Sequence, residues 1–245
     1  VATLAVITAA GEGTRLGLDV PKALVDLDGA PLLVHAARNV CASGAVDVVV
    51  VTCPARAVAE FTALLAADER VDRPVVVVAG GATRQESVRE GLRAGTHAAT
   101  DTPDIVLVHD AARPLAPPDL VRRVVAAVRA GSPAVVPGLP VTDTIKEVRP
   151  GGTQVTGERV VATVDRTPLR AVQTPQGFDR DLLLRAHDAA ERDGVEATDD
   201  AGLVEALGVA VHVVPGDPAA AKITTTEDLL VARWRVRDAT RPAGR

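Results

Sequence analysis

The sequence predicts a Rossmann-like, doubly wound α/β fold, with a mostly parallel sheet and an inserted β-hairpin arm. Three observations predict it. Short Val-rich apolar runs alternate with longer amphipathic segments along most of the chain, which is the rhythm of β–α–β units. Hydrophobic residues make up 47% of the 245 residues but aromatics only 1%. The core is therefore built from Val, Ala and Leu, a composition suited to parallel strands buried on both faces. Prolines stand at the starts of several amphipathic segments, where their missing N–H costs nothing to a helix.

In chain order, the first apolar run, Leu4–Thr8, is a strand that ends in a Gly-rich turn. A helix over Pro31–Ala42 leads to a strand at Asp47–Thr52. A helix over Pro54–Ala67 leads to a strand at Pro74–Val78. A helix over Arg84–Arg93 precedes the strand Ile105–His109, and the helix Pro117–Arg129 precedes the strand Ala134–Pro137. Helices over Arg180–Arg192 and Asp199–Leu207, a strand at Ala210–Val214 and a helix over Thr226–Arg235 follow. Asp238–Arg245 reads as a polar tail.

The rhythm breaks over residues 138–172. Two β-prone runs, Val141–Val148 and Glu158–Val164, flank the turn Pro150-Gly151-Gly152. This reads as a hairpin arm with too little apolar content to be a second domain, so residues 1–245 are expected to form one domain. A two-stranded hairpin is marginal in water by itself, and its open edges are best buried on a second copy. A homodimer formed through this arm is the expectation.

Charge and cysteine usage exclude several classes. The formal net charge of -5, from 27 Lys plus Arg against 32 Asp plus Glu, gives no bulk attraction to nucleic acid. No apolar run is long enough to span a bilayer. The run Val1–Ala10 lacks the basic leader of a signal peptide and passes straight into the Gly-rich turn. The two cysteines, Cys41 and Cys53, show neither disulfide-framework nor metal spacing, so a reducing cytoplasm is expected. His35, His97, His109, His187 and His212 are not at ligand spacing either, which argues against a structural zinc site.

The first loop carries the chemistry. After the strand comes Ala9-Ala10-Gly11-Glu12-Gly13-Thr14-Arg15, and Pro21-Lys22 follows. Glycines after a strand let backbone N–H groups approach phosphate oxygens, and the small alanines keep that approach open. Arg15 and Lys22 add two positive charges. A dinucleotide fingerprint fails because its third glycine falls at Leu16, and no Gly-Lys-Ser/Thr triplet completes a Walker loop.

Further stretches occur in order: Gly80-Gly81-Ala82-Thr83-Arg84-Gln85-Glu86-Ser87, His109-Asp110-Ala111-Ala112-Arg113-Pro114, Val164-Asp165-Arg166, Gln173-Thr174-Pro175-Gln176-Gly177-Phe178, Ala197-Thr198-Asp199-Asp200 and Ala221-Lys222-Ile223-Thr224. With the first loop, this set resembles the 2-C-methyl-D-erythritol 4-phosphate cytidylyltransferase family of nucleotidyltransferases. The resemblance covers nearly the whole chain. It departs at Ala82, where relatives commonly carry a polar or acidic residue.

The resemblance implies transfer of CMP from CTP to a polyol phosphate with release of pyrophosphate. It assigns Arg15 and Lys22 to the transition state, and Arg166 and Lys222 to holding the polyol phosphate in line. It implies a CTP pocket from Ala9, Ala10, Gly11, Gly13, Gly81, Ser87 and Ala111, with Arg84 placed to reach a phosphate. Polyol-phosphate contacts would fall on Asp110, Arg113, Thr142, Arg166, Thr198 and Lys222. The implied cofactor is Mg²⁺ held mainly through triphosphate oxygens, so no protein metal ligand is assigned.

The chemistry suits these residue types. A phosphate oxygen is already an anion and needs no general base, so catalysis rests on cations and positioning. Two other readings stay open. One is a cytidylyltransferase acting on ribitol 5-phosphate, and the other is a catalytically silent nucleotide-binding subunit. Retention of Arg15, Lys22 and Lys222 favours an enzyme over the silent subunit. A nicotinamide dehydrogenase is excluded by Leu16.

Overall fold

The computed structural model describes residues 2–11, 20–98, 102–150 and 157–240. Gly13 and Arg15 lie outside these residues, as do Gly151 and Gly152.

The strands are β1 (Thr3–Thr8), β2 (Asp26–Leu27), β3 (Ala30–Pro31), β4 (Val48–Cys53), β5 (Val75–Ala79), β6 (Ile105–Asp110), β7 (Ala134–Pro140), β8 (Ile145–Pro150), β9 (Glu158–Val164), β10 (Arg170–Val172), β11 (Gln176–Asp179) and β12 (His212–Pro215). The helices are α1 (Leu32–Ala42), α2 (Val58–Ala66), α3 (Arg84–Ala98), α4 (Pro118–Arg129), α5 (Arg180–Asp193), α6 (Asp200–Ala206) and α7 (Thr226–Thr240).

The main sheet runs β10-β7-β11-β6-β1-β4-β5, with β12 also paired to β7. Its parallel pairings are β1 with β4 and β6, β4 with β5, and β7 with β12. The strands β4 and β6 are buried at every position, as their four-residue apolar runs Val48–Val51 and Ile105–Val108 require. Side chains alternate between two cores. Ala5, Ile7, Val49 and Val51 pack with Leu33, Phe61, Val121 and Val124 on the face of α1, α2 and α4. Leu4, Val6, Val48 and Val50 pack with Val88, Leu92, Phe178 and Leu183 on the face of α3 and α5. One phenylalanine anchors each face. Every such side chain fully buried contributes roughly 1.5–3 kcal/mol, so a Val/Leu core suffices with one phenylalanine on each face.

The structure adds a strand line absent from the sequence expectation. β11 runs antiparallel between β6 and β7, and β10 pairs antiparallel with the far end of β7. The register shifts by two residues between Arg170↔Pro140 and Gly177↔Val135, across the Gln173–Pro175 link. This corrects the arm boundaries. Gly138–Pro140 and Arg170–Val172 belong to the main sheet, so the arm proper spans 141–169, with its first strand starting at Ile145 rather than Val141. In the arm, β8 pairs antiparallel with β9, with one irregularity at Glu147/Val148. Almost every arm-strand residue is solvent-exposed, including Val148, Val160 and Val161.

A third, smaller cluster matters for the site. Val25, Leu27, Leu32, Ile223, Leu229 and Ala232 pack together. It fastens α7 to the chain just after Lys22 and just after Lys222.

Candidate active site

The carboxyl ends of parallel strands open the cleft in α/β sheets of this kind. Here Ala9 N–H donates to the Thr52 carbonyl at 2.8 Å, Gly80 N–H to the Cys53 carbonyl at 2.8 Å, and Ala111 N–H to the Thr8 carbonyl at 3.1 Å. These bonds carry the ladder one step past β1, β5 and β6 and bring three loops together. Between them lies a cleft of about 370 Å³, lined among others by Ala9, Ala10, Gly11, Lys22, Gly81, Arg84, Ser87, Asp110, Ala111 and Lys222. Ten residues picked from the sequence thus meet at one place.

The Gly-Gly loop is held close to the first loop. A Cβ on Gly80 would lie 2.7 Å from Ser87 Oγ and 3.2 Å from Ala10 Cβ, so only glycine permits the approach. The loop also caps α3. Glu86 N–H donates to Thr83 Oγ1 at 3.1 Å and Thr83 N–H donates back to Glu86 Oε2 at 3.4 Å, a reciprocal capping box, and Ala82 N–H donates to the same Glu86 oxygen at 2.7 Å. The Ser87 hydroxyl, buried at the rim, donates to the Thr83 carbonyl at 2.8 Å.

Lys22 opens a single 3₁₀ turn, Lys22–Leu24, closed by Leu24 N–H to the Pro21 carbonyl at 2.8 Å and Val25 N–H to the Lys22 carbonyl at 3.1 Å. Buried Ala23 pins the turn, and Lys22 lines the cleft. Lys222 is placed from the other side. Ile223 N–H donates to the Ala112 carbonyl at 2.8 Å, and Asp228 Oδ2 accepts from Thr224 N–H, Thr224 Oγ1 and Thr225 N–H at 2.7, 2.7 and 2.8 Å. Those donors lower the Asp228 carboxyl to about 2.

Asp110, at the end of β6, is the hub. Its Oδ1 accepts from Arg84 Nε at 3.2 Å and its Oδ2 from Lys222 Nζ at 2.8 Å. Burial alone would push the Asp110 carboxyl up, but Arg84 and Lys222 outweigh it and hold the group well below the usual carboxylate range. Arg84 also reaches Asp200 Oδ2, Nη1 to oxygen 2.7 Å. Burial opposes the Arg84 charge, yet Asp200 and Asp110 raise its pKa above the ordinary value.

Not every expected residue reaches the cleft. Arg113 does not line the cleft, although its Nε lies 4.0 Å from Asp110 Oδ2; it donates to the Ala220 and Val172 carbonyls at 2.8 and 3.3 Å, tying β10 to the Pro218–Ala220 turn. Thr198 is exposed beside Asp199, the N-cap of α6. Thr142 and Arg166 meet each other, an Arg166 guanidinium nitrogen donating to the Thr142 carbonyl, but both are exposed at the root of the arm and neither lines this cleft. Cleft residues the sequence reading did not select include Thr8, Thr83, Ala112 and Thr224.

Behind Asp110 runs a directional hydrogen-bond chain. Asp110 N–H donates to Thr174 Oγ1 at 3.1 Å, Thr174 Oγ1 lies 3.0 Å from His109 Nδ1, and His109 Nε2 lies 3.3 Å from the Arg113 carbonyl. Neutral His109 protonated on Nε2 satisfies all three links, with the Thr174 hydroxyl donating to Nδ1. Burial pushes the His109 pKa down to about 4. The depressed group favours the folded state above its unfolded pKa of 6.5. That stability, up to roughly 3 kcal/mol, is lost as pH falls from 6.5 toward 4. Urea unfolding at pH 7.5 and pH 5 is expected to show this loss, with a smaller difference in His109→Gln. An equal difference in the variant would assign the pH dependence elsewhere.

Among the described residues no group of three or more His, Cys, Asp or Glu is placed to hold a metal ion. Asp110 is the one carboxylate among the described cleft-lining residues, and both its oxygens are engaged by cations. Such a donor set fits an ion carried in on a ligand's own oxygens better than a protein cage.

The family model described as IspD, 2-C-methyl-D-erythritol 4-phosphate cytidylyltransferase, matches residues 3–238. A protein of that name from Streptomyces avermitilis is 54% identical over 233 residues, covering 94% of this chain and 90% of its own length. Another from Rhodococcus jostii is 52% identical over 235 residues, covering 96% and 95%. The crystal structure of 2-C-methyl-D-erythritol 4-phosphate cytidylyltransferase from Thermus thermophilus superposes with a TM-score of 0.75 at 37% identity, covering 97% of this chain and 100% of that one.

Proposed function

The chain belongs to the 2-C-methyl-D-erythritol 4-phosphate cytidylyltransferase family, and from that premise we propose that it transfers CMP from CTP to 2-C-methyl-D-erythritol 4-phosphate. The products are 4-diphosphocytidyl-2-C-methyl-D-erythritol and pyrophosphate, a step toward isoprenoid precursors. The observation that carries the reading is the convergence of Lys22, Arg84, Asp110 and Lys222 with the small residues Ala9, Ala10, Gly11, Gly81 and Ala111 in one cleft.

In this reading CTP lies along the first loop, its phosphates over the backbone N–H groups and its base toward Gly81 and Ser87. The polyol phosphate lies beside Asp110 and Lys222. One of its phosphate oxygens attacks the α-phosphorus, the bond to the β-phosphate oxygen breaks, and pyrophosphate leaves. Lys22, with Arg15, offsets the charge that grows on the α-phosphoryl oxygens. Lys222 brings the anionic nucleophile to the anionic electrophile, and Asp110 orients Lys222 and accepts from an acceptor hydroxyl. No residue need remove a proton, because the nucleophile is already ionised. Mg²⁺ bound to the triphosphate would shield its charge and ease the departure of pyrophosphate.

The arm supports a homodimer with composite sites. Its exposed valines and open edges need cover. Thr142 and Arg166 sit on it away from their own chain's cleft, so each would serve the cleft of the partner. Among the described residues no helix is long and apolar enough to cross a membrane. The free, buried Cys41 and Cys53 suit a cytoplasmic enzyme.

Pyrophosphate release with paired substrates tests the reading. CTP with 2-C-methyl-D-erythritol 4-phosphate is expected to turn over, ATP and GTP only weakly, and ribitol 5-phosphate more slowly than the branched acceptor. Equal use of ATP would refute the base assignment, and faster turnover of ribitol 5-phosphate would replace the acceptor.

A further inference from the structure

The cation network of the cleft does not stop at Arg84. Asp200, the first residue of α6, is 1% exposed and accepts from Arg84 Nη1 through Oδ2 at 2.7 Å. Its Oδ1 accepts from His187 Nε2 on α5 at 3.0 Å, and His187 is 2% exposed. The contacts therefore form one line, His187–Asp200–Arg84–Asp110–Lys222, from the interior of the α5–α6 face to the cleft wall. Neither His187 nor Asp200 lines the cleft.

Arg84 is clamped between two carboxylates, Asp110 at its Nε and Asp200 at its Nη1. Asp110 alone would leave it free to swing, since one Nε–Oδ1 contact fixes a point but not a plane. Asp200 supplies the second point, and His187 fixes the Asp200 carboxylate in turn. The position of Asp200 is itself determined. Asp199 caps α6 through Gly202 N–H at 3.0 Å, and Gln176 on β11 donates to Asp199 Oδ2 at 2.7 Å while accepting Ala201 N–H at 3.2 Å. The start of α6 is thus tied to the sheet by bonds that do not involve Arg84.

We propose that Asp200, held by His187, is a positioning residue for the proposed reaction. It fixes the plane of Arg84, Arg84 fixes Asp110, and Asp110 sets Lys222 at the acceptor phosphate. The proposal rests on the cytidylyltransferase reading and reassigns Arg84: the resemblance places it at a CTP phosphate, but its contacts to Asp110 and Asp200 make it act on the acceptor side of the cleft rather than on the nucleotide.

The test is a kinetic double-mutant cycle on the full-length chain with CTP and 2-C-methyl-D-erythritol 4-phosphate. A wild-type enzyme without turnover would sink the functional reading itself, and the cycle is read only against an active wild type. Asp200→Asn keeps the shape but weakens the clamp. It is expected to lower kcat/KM for the acceptor about 10-fold or more, since a misplacement of ~1 Å can cost about 10²-fold. The KM for CTP is expected to stay within about twofold, because the contacts disturbed lie on the acceptor side. In an Arg84→Gln background, Asp200→Asn is expected to add almost nothing, because the residue through which it acts is gone. His187→Gln provides a second, milder variant with the same masking, should Asp200→Asn fold poorly. A rise in the KM for CTP beyond about twofold, or the same factor in the presence and absence of Arg84, would overturn the proposal and leave the pair as packing.

Discussion

Replacing Lys22 with alanine is expected to lower turnover at least ~10²-fold while leaving the fold intact, because removing one pre-placed donor to a developing charge costs about that much. The fold should survive because the turn is closed by backbone bonds and pinned by Ala23, neither of which involves the Lys22 side chain. Arg15→Ala is expected to behave alike. The control is a melting temperature within a few degrees of wild type, with the loss read in kcat rather than in the KM for CTP. Near-normal turnover in both variants would remove them from the catalytic role and shift the burden to Lys222 and Arg84.

The second large effect concerns assembly. Arg166→Ala should also be nearly inactive, although Arg166 lies on the exposed arm and not in its own chain's cleft. Mixed with Lys22→Ala, it should recover activity. In a heterodimer, the cleft with intact Lys22 receives the arm with intact Arg166, while the opposite site lacks both. Random pairing of equal amounts gives heterodimers in half the population with one good site of two, so recovery should approach about a quarter of wild type. Heterodimers verified by mass but lacking recovered activity would mean that each site is built from one chain.

Much of this architecture was legible in the sequence because its signals are local. The Val runs at Val48–Cys53 and Val75–Ala79 announce parallel strands, and the helices follow their periodicity and prolines within a few residues. β10 and β11 were hidden for a physical reason. Arg170–Val172 and Gln176–Asp179 are short and largely polar or small, and become strands only by pairing with β7 and β6. The same pairing draws Gly138–Pro140 and Arg170–Val172 out of the arm and into the main sheet. Of the ten candidate residues that meet in the cleft, eight stand at or just after the ends of β1, β5 and β6, and Lys22 and Lys222 arrive on segments fastened by the third cluster. Arg113 and Thr198 do not line the cleft, because nothing in the local sequence reports where a side chain ends: Arg113 lies beside Asp110 and reaches the Ala220 and Val172 carbonyls, and Thr198 stands exposed before α6. Asp200 and His187 carry no local signal of their positioning role, for a different reason. Their importance lies in burial and in a partner more than 100 residues away in the case of Asp200 and Arg84, which no spacing rule reports.

The central claim is attack by the acceptor's phosphate oxygen on the α-phosphorus of CTP in this cleft. It is tested most directly by following ¹⁸O. With 2-C-methyl-D-erythritol 4-phosphate labelled in its phosphate oxygens and unlabelled CTP, mass spectrometry of the products should find all the label in the diphosphocytidyl product, one labelled oxygen bridging its two phosphorus atoms, and none in pyrophosphate. Label in the released pyrophosphate, or release of pyrophosphate without a CMP-bearing product, would contradict the account.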